Sequence, residues 1–394
     1  MPQMNRIPQI DFYRGAAALA VFISHFFAWA RWDNRVYLFA KSAYEKALKI
    51  FQMSGEGHPG VVCFIVLSGF CIHMVYSNKE LHQLNISKEI RKFYLRRFFR
   101  IYPLFAIATI IGICAVLYIE HTNAATKQDL QLFSASTIKH VSASNIAQKM
   151  LIVSGIFPPT YDYTYLGNAP LASVVTEMWL YICYPLFFYL LRKKGWATIF
   201  ILTTVLYLLL PIVWNIVGQE VYYSWWLFSL CNYYVLWALG AFAAEVVFGK
   251  IKLAQGHVLK MLAVAGIVYF GLFILSRVVP NSNIKLLRML MLGLAFAALL
   301  ITTIKGWTSP SYRFYAILKS YLLKPIASLG DISYSLYAIH APIVMILLTF
   351  ISAYGLAQMS ILAIPLIILI LSVLTYKVIE QPTHKWAKNF TNKK

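Results

Sequence analysis

The chain has 394 residues, 60% of them hydrophobic and 12% charged, where soluble domains average about 45–50% apolar and about 25% charged. Together with a mean hydropathy of +0.66, this excludes an ordinary soluble domain and predicts an all-α integral membrane protein. The net charge of +21 does not mark a nucleic-acid binder, because the Lys and Arg residues lie in short segments between apolar spans, the distribution of the positive-inside rule.

The hydropathy pattern predicts ten spans, near 8–30, 59–77, 101–120, 168–191, 196–217, 225–248, 258–277, 285–304, 327–353 and 357–378. They form one polytopic domain over 1–394 with no fused soluble domain. With the N-terminus inside, the inner segments carry 23 of the 35 Lys and Arg residues. The outer segments and the start of the eighth span carry 11, and Arg14 is the last. That asymmetry predicts cytoplasmic N- and C-termini. No A-x-A-like site follows the first apolar run, so it reads as a retained span and not a cleaved signal peptide.

The first span holds Arg14 and His25. A charge at mid-bilayer costs about 2.5–3.5 kcal/mol on insertion scales, which makes intramembrane ionisable residues functional candidates. Eleven residues apart, the two share one helix face and lie about 16 Å apart along its axis. Gly15, Ala16, Ala17, Ala18 and Ala20 surround Arg14, so neighbouring helices can approach and place it in the interior. Two readings stand: a pair with Asp11 three residues earlier, or recognition of a phosphate or carboxylate from the cytoplasm. His25, with an ordinary pKa near 6.5, is suited to act as a general base on a hydroxyl.

Further along the chain, His58-Pro59-Gly60 and Ser68-Gly69-Phe70 bracket the second span, and the Ser-Gly pair permits close helix contact or a kink. The inner segment 78–100 reads as an amphipathic basic helix ending at Arg96-Arg97-Phe98-Phe99-Arg100. Arg97 and Arg100 share a face, as a topology-setting cluster at the lipid headgroups or as a clamp for a phosphorylated donor. The long outer segments 31–58 and 121–167 are solvated connectors or covers for a polar ligand.

Glu177 and Glu245 are the carboxylates clearly inside spans. Glu177 needs a partner, with Arg14 and His25 both open, and orienting a catalytic histidine is a carboxylate's task. Glu245 lies near the inner end of its span, close to Lys250, as a paired or snorkelling residue. In the ninth span Ser333, Tyr337 and His340 share a face, as packing glue or as a wall of an acceptor site. Ser24 and Ser68 are the hydroxyls placed for a relay, and direct transfer and an acyl-enzyme both stay open. The cysteines, Cys63, Cys71, Cys114, Cys183 and Cys231, lie in apolar stretches without metal spacing or a disulfide framework, so no metal is expected.

Four segments in order resemble the acyltransferase-3 family of membrane acyltransferases. They are Asp11-Phe12-Tyr13-Arg14-Gly15 through His25; Phe64 to Phe70 followed by Arg96-Arg97-x-x-Arg100-Ile101-Tyr102-Pro103; Glu177-x-x-x-Tyr181-x-x-x-Pro185; and Ile332 to Tyr337 through His340-Ala341-Pro342, closed by Ile379-Glu380-Gln381-Pro382. Ala172 stands where many members have tryptophan, and Trp179 and its neighbours replace a common second acidic residue. The resemblance implies a multi-pass enzyme of the bacterial inner (plasma) membrane. Such an enzyme transfers an acyl group, most often acetyl, from cytoplasmic acetyl-CoA to a hydroxyl of an envelope or exported carbohydrate such as O-antigen, with no bound cofactor. By that analogy Arg14, Arg97 and Arg100 bind the donor, His25 deprotonates the acceptor, and Glu177 supports the histidine or an interior cation. Ser68, Ser333, Tyr337 and His340 then line or support the acceptor site. The competing class on composition is a transporter or flippase for a lipid-linked or polar solute, though the internal symmetry common in transporters is not evident.

Overall fold

The computed structural model describes residues 7–30, 59–77, 79–80, 85–122, 138–153, 165–217, 229–279, 282–307, 324–356 and 358–392. Among these residues the chain is helical and contains no strand. In order, the helices are α1 Pro8–Ala30, α2 Pro59–His73, α3 Ile86–His121, α4 Ala143–Met150, α5 Leu171–Val217, α6 Leu230–Val247, α7 Gln255–Val278, α8 Ser282–Ile304, α9 Lys324–Asp331, α10 Ser333–Ala353, α11 Ile364–Thr375 and α12 Gln381–Asn392.

Seven helices among the described residues are long and apolar enough to cross a membrane: Ile86–His121, Leu171–Leu208, Leu230–Val247, Gln255–Ser276, Asn283–Ile304, Ser333–Ala353 and Ser360–Thr391. The predicted spans and these helices differ for local reasons. Spans 168–191 and 196–217 form one helical run, broken at Gly195 (φ 82°, ψ 176°), a conformation that needs glycine. α2 has 15 residues, short of a full crossing at 1.5 Å per residue. The basic segment and the third span are one 36-residue helix, α3. Its start is set by Asn85, whose side chain accepts from the Lys88 N–H at 3.2 Å, a normal N-cap.

Close helix crossings hold the bundle together. A Cβ at Gly69 would lie 2.0 Å from the Trp237 carbonyl oxygen, and one at Gly240 would lie 1.9 Å from that of Val66. Only paired glycines let α2 and α6 touch backbone to backbone, which bears out the close-contact reading of Ser68-Gly69. Around that crossing the core fills with Phe70, Phe105, Phe187 and Trp237, all nearly inaccessible.

At one end of the bundle Glu245 is locked in place. It accepts from Arg192 Nη1 at 2.6 Å and Trp196 Nε1 at 2.6 Å, and meets His73 Nε2 at 3.1 Å. Arg192 Nη2 also donates to the carbonyls of Tyr76 and Ser77 just past α2. Glu245 is therefore a paired residue, but Arg192 is its partner, and Lys250 pairs with Glu80 instead.

Segment 31–58 lies outside the described residues. The described part of 121–167 is more than a connector. Tyr102 donates to the Met150 carbonyl at 3.0 Å, and Trp179 Nε1 donates to that of Ile152 at 2.9 Å. Tyr102 is nineteen residues, about 28 Å, from the far end of α3, so this segment runs deep alongside α3 and α5. Lys149 is buried with its Nζ 3.9 Å from the Tyr165 ring centre. Trp179 anchors that segment.

Candidate active site

A cleft opens between α1, α2, α3, α5 and α10. Arg14, Arg97, Arg100, Ser68, Glu177, Ser333 and Tyr337 all line it. Seven predicted site residues from separate segments thus converge on one space. α3 supplies Arg97 and Arg100 from its basic stretch, three residues apart and so on one face. α1 reaches the cleft because Gly15 packs against the α9 backbone. A Cβ at Gly15 would lie 1.9 Å from the Ile326 oxygen, and one at Gly330 would lie 2.2 Å from that of Asp11.

The cations and the acid are held by different groups. Arg14 Nη2 lies 3.2 Å from Cys71 Sγ. Arg97 lies over the rings of Phe93 and Tyr181, 5.9 Å and 5.6 Å from their centres. Its Nε is buried and, among the described residues, has no hydrogen-bond partner. Glu177 accepts a short hydrogen bond from the Tyr181 hydroxyl. The Tyr181 hydroxyl is in turn within 3.1 Å of Ser68 Oγ, which lies 3.3 Å from Trp237 Nε1. An indole only donates and a carboxylate only accepts, so the row Trp237, Ser68, Tyr181, Glu177 has a fixed direction and ends on the acid. Ser68 sits in the middle of that row.

His25 and His340 form a second cluster on α1 and α10. His25 Nδ1 is 2.8 Å from His340 Nε2, and His340 is fully buried. Tyr337 connects the clusters. It lines the cleft, its hydroxyl is 2.6 Å from Ser173 Oγ, and its ring is 5.8 Å from that of His340. Glu177 lines the cleft with the arginines, and among the described residues His25 meets another histidine. Ser333 Oγ donates to the Gly330 carbonyl at 2.8 Å, next to the α1–α9 contact.

Several participants carried no usable signal in the sequence. Cys71 was one of five cysteines in apolar stretches, and Trp237 stood in no motif. Tyr181 stood in the Glu177 motif without a role. Asn168 donates to the carbonyls of Ala108 and Ala338 at 3.1 Å and 2.9 Å. Pro342 has no N–H for the Ala338 oxygen four residues earlier, and the Asn168 amide takes up that acceptor. Glu380, in the closing Ile-Glu-Gln-Pro motif, accepts from Ser335 Oγ at 2.7 Å at a π-helical turn, Tyr376–Glu380. Such turns recur at functional sites.

An apolar helical bundle encloses a cleft lined by arginines, one acid and hydroxyls. The family model for the acyltransferase domain of the acyltransferase-3 family matches residues 7–377, and the chain belongs to that family. It is a multi-pass membrane acyltransferase. No match was found among curated proteins or among solved structures.

Proposed function

We propose that this acyltransferase moves an acetyl group from cytoplasmic acetyl-CoA to a hydroxyl of a cell-envelope or exported carbohydrate. The observation that carries the reading is the cleft shared by Arg14, Arg97 and Arg100, with a buried Arg97 N–H that has no partner among the described residues. Guanidinium forks suit the phosphates of such a donor. His25 stands eleven residues along α1 from Arg14, about 16 Å by helical rise, a gap for the donor's flexible arm to bridge.

In this reading His25 takes the proton of the acceptor hydroxyl as its oxygen attacks the thioester carbonyl. The carbon–sulfur bond breaks, and the departing thiolate receives the proton. Glu177 balances the cationic cleft, and Ser68, Ser333 and Tyr337 complete its walls. The chain crosses the inner (plasma) membrane of a bacterial-type cell ten times with both termini cytoplasmic. This counts α1 and the segment 59–77, of which α2 is the helical part, as spans and the two arms of α5 separately.

The test is purified protein with acetyl-labelled donor and envelope glycans. Labelled glycan is expected from the wild type and none from His25→Ala that inserts normally. Glycan moved across vesicles without label would support the transporter reading instead. Full transfer by His25→Ala would remove the base assignment.

A further inference from the structure

We propose that His340 is the positioning residue of the reaction, a neutral hydrogen-bond acceptor that sets the tautomer of His25. This rests on the reading of His25 as the base, and it follows from which atoms can donate. His340 Nδ1 faces two backbone carbonyls of its own helix, Tyr337 at 2.8 Å and Leu336 at 3.1 Å. Carbonyl oxygens only accept, so His340 Nδ1 carries the hydrogen. In a neutral imidazole the other nitrogen is then a lone pair, and His340 Nε2 is the atom that meets His25 Nδ1. His25 Nδ1 must therefore carry its own hydrogen and donate it, which leaves the lone pair of His25 on Nε2, the nitrogen turned away from His340.

The ring geometry agrees. The two imidazoles lie 8° from parallel with centres 5.1 Å apart. That separation is close to the N···N distance of 2.8 Å plus the two ring radii. The rings are edge to edge in one plane, with the N–H aimed straight along the opposing lone pair, the favoured direction for a hydrogen bond.

In acyl transfer with a histidine base, the partner of the second ring nitrogen is usually a carboxylate. Here the partner is a fully buried imidazole. Its orientation comes from the α10 backbone and from packing against Phe22 and Tyr337, whose rings lie 6.2 Å and 5.8 Å from its own. When Nε2 of His25 takes the substrate proton, the new imidazolium donates from Nδ1 into the His340 lone pair. The carbonyls that hold His340 keep that lone pair available.

Two measurements test this. The first is ¹⁵N NMR of histidine-labelled wild-type protein in detergent or nanodiscs, in which neutral His25 is expected as the Nδ1–H tautomer. Its Nε2–H tautomer would overturn the proposal whether or not any acyl donor is turned over. The second is kinetics with acetyl-CoA. His340→Leu removes the acceptor and is expected to lower kcat about a hundredfold, near the lower bound of what a positioned base contributes, with donor KM unchanged. His340→Gln, which returns an acceptor oxygen near the lost Nε2, is expected to restore most of kcat. Unaltered kcat in a folded His340→Leu protein would sink the assignment. Full activity in His25→Ala would instead sink the base reading beneath it.

Discussion

A guanidinium inside a membrane protein persists only where anions, dipoles or ring faces compensate for lost water. Arg97 meets this condition in part, over the rings of Phe93 and Tyr181, and its buried Nε has no hydrogen-bond partner among the described residues. Arg97→Gln keeps much of the volume and loses the charge. It is expected to raise donor KM about tenfold or more, the worth of one charged hydrogen bond of about 1.5–3 kcal/mol, with little change in kcat. Equal donor KM in a saturation curve would return Arg97 to topology and headgroup contacts. Arg14, His25 and Glu177 were legible as candidates because ionisable groups inside apolar runs demand an explanation, and Arg97 because it shares a basic helix face with Arg100. Their partners were not. Nothing in the order of residues states that Cys71 faces Arg14 or that His340 faces His25, because those contacts join positions 57 and 315 residues apart.

At the scale of elements, glycine decides how close the helices come. Gly69 and Gly240 allow α2 and α6 to touch, and the same crossing brings Ser68 beside Trp237. Gly240→Ala places a methyl group 1.9 Å from the Val66 oxygen, so the helices must separate. Overpacking of this kind costs about 1–3 kcal/mol. The expected result is a lower Tm in detergent together with reduced transfer, since Ser68 moves with α2. Gly266→Ala on the open face of α7, where an added Cβ meets nothing within 4 Å, is the control that should leave both unchanged. The Ser-Gly pair left a close contact or a kink open, while its partner Gly240 had no local mark. The joining of the basic segment to the third span was hidden because polarity changes along α3 while its helix does not.

For the whole molecule, charge predicts an orientation. The excess of Lys and Arg in alternate inter-span segments predicts cytoplasmic termini under the positive-inside rule. Protease-cleavable tags at each end should be cut in inside-out vesicles and protected in right-side-out ones. Opposite accessibility of the two ends would mean an odd number of crossings. Several spans were countable from hydropathy, and the polar run Arg192-Lys193-Lys194 marked the boundary that falls at Gly195. The deep course of segment 138–153 was out of reach. Its anchors, Tyr102 and Trp179, use backbone carbonyls as partners, and every residue has one.

Sequence by itself determined that this chain lives in a membrane, which family it resembles, and which side chains are too costly to bury without purpose. These follow from composition and from local order, where one residue's transfer energy or one helix's face is enough. Tertiary structure decided which of those side chains share a space: three arginines and one acid line one cleft, and one histidine lies against another. Hydrogen bonds have direction and a reach of about 3 Å, and only the packing of distant helices sets which atoms come that close.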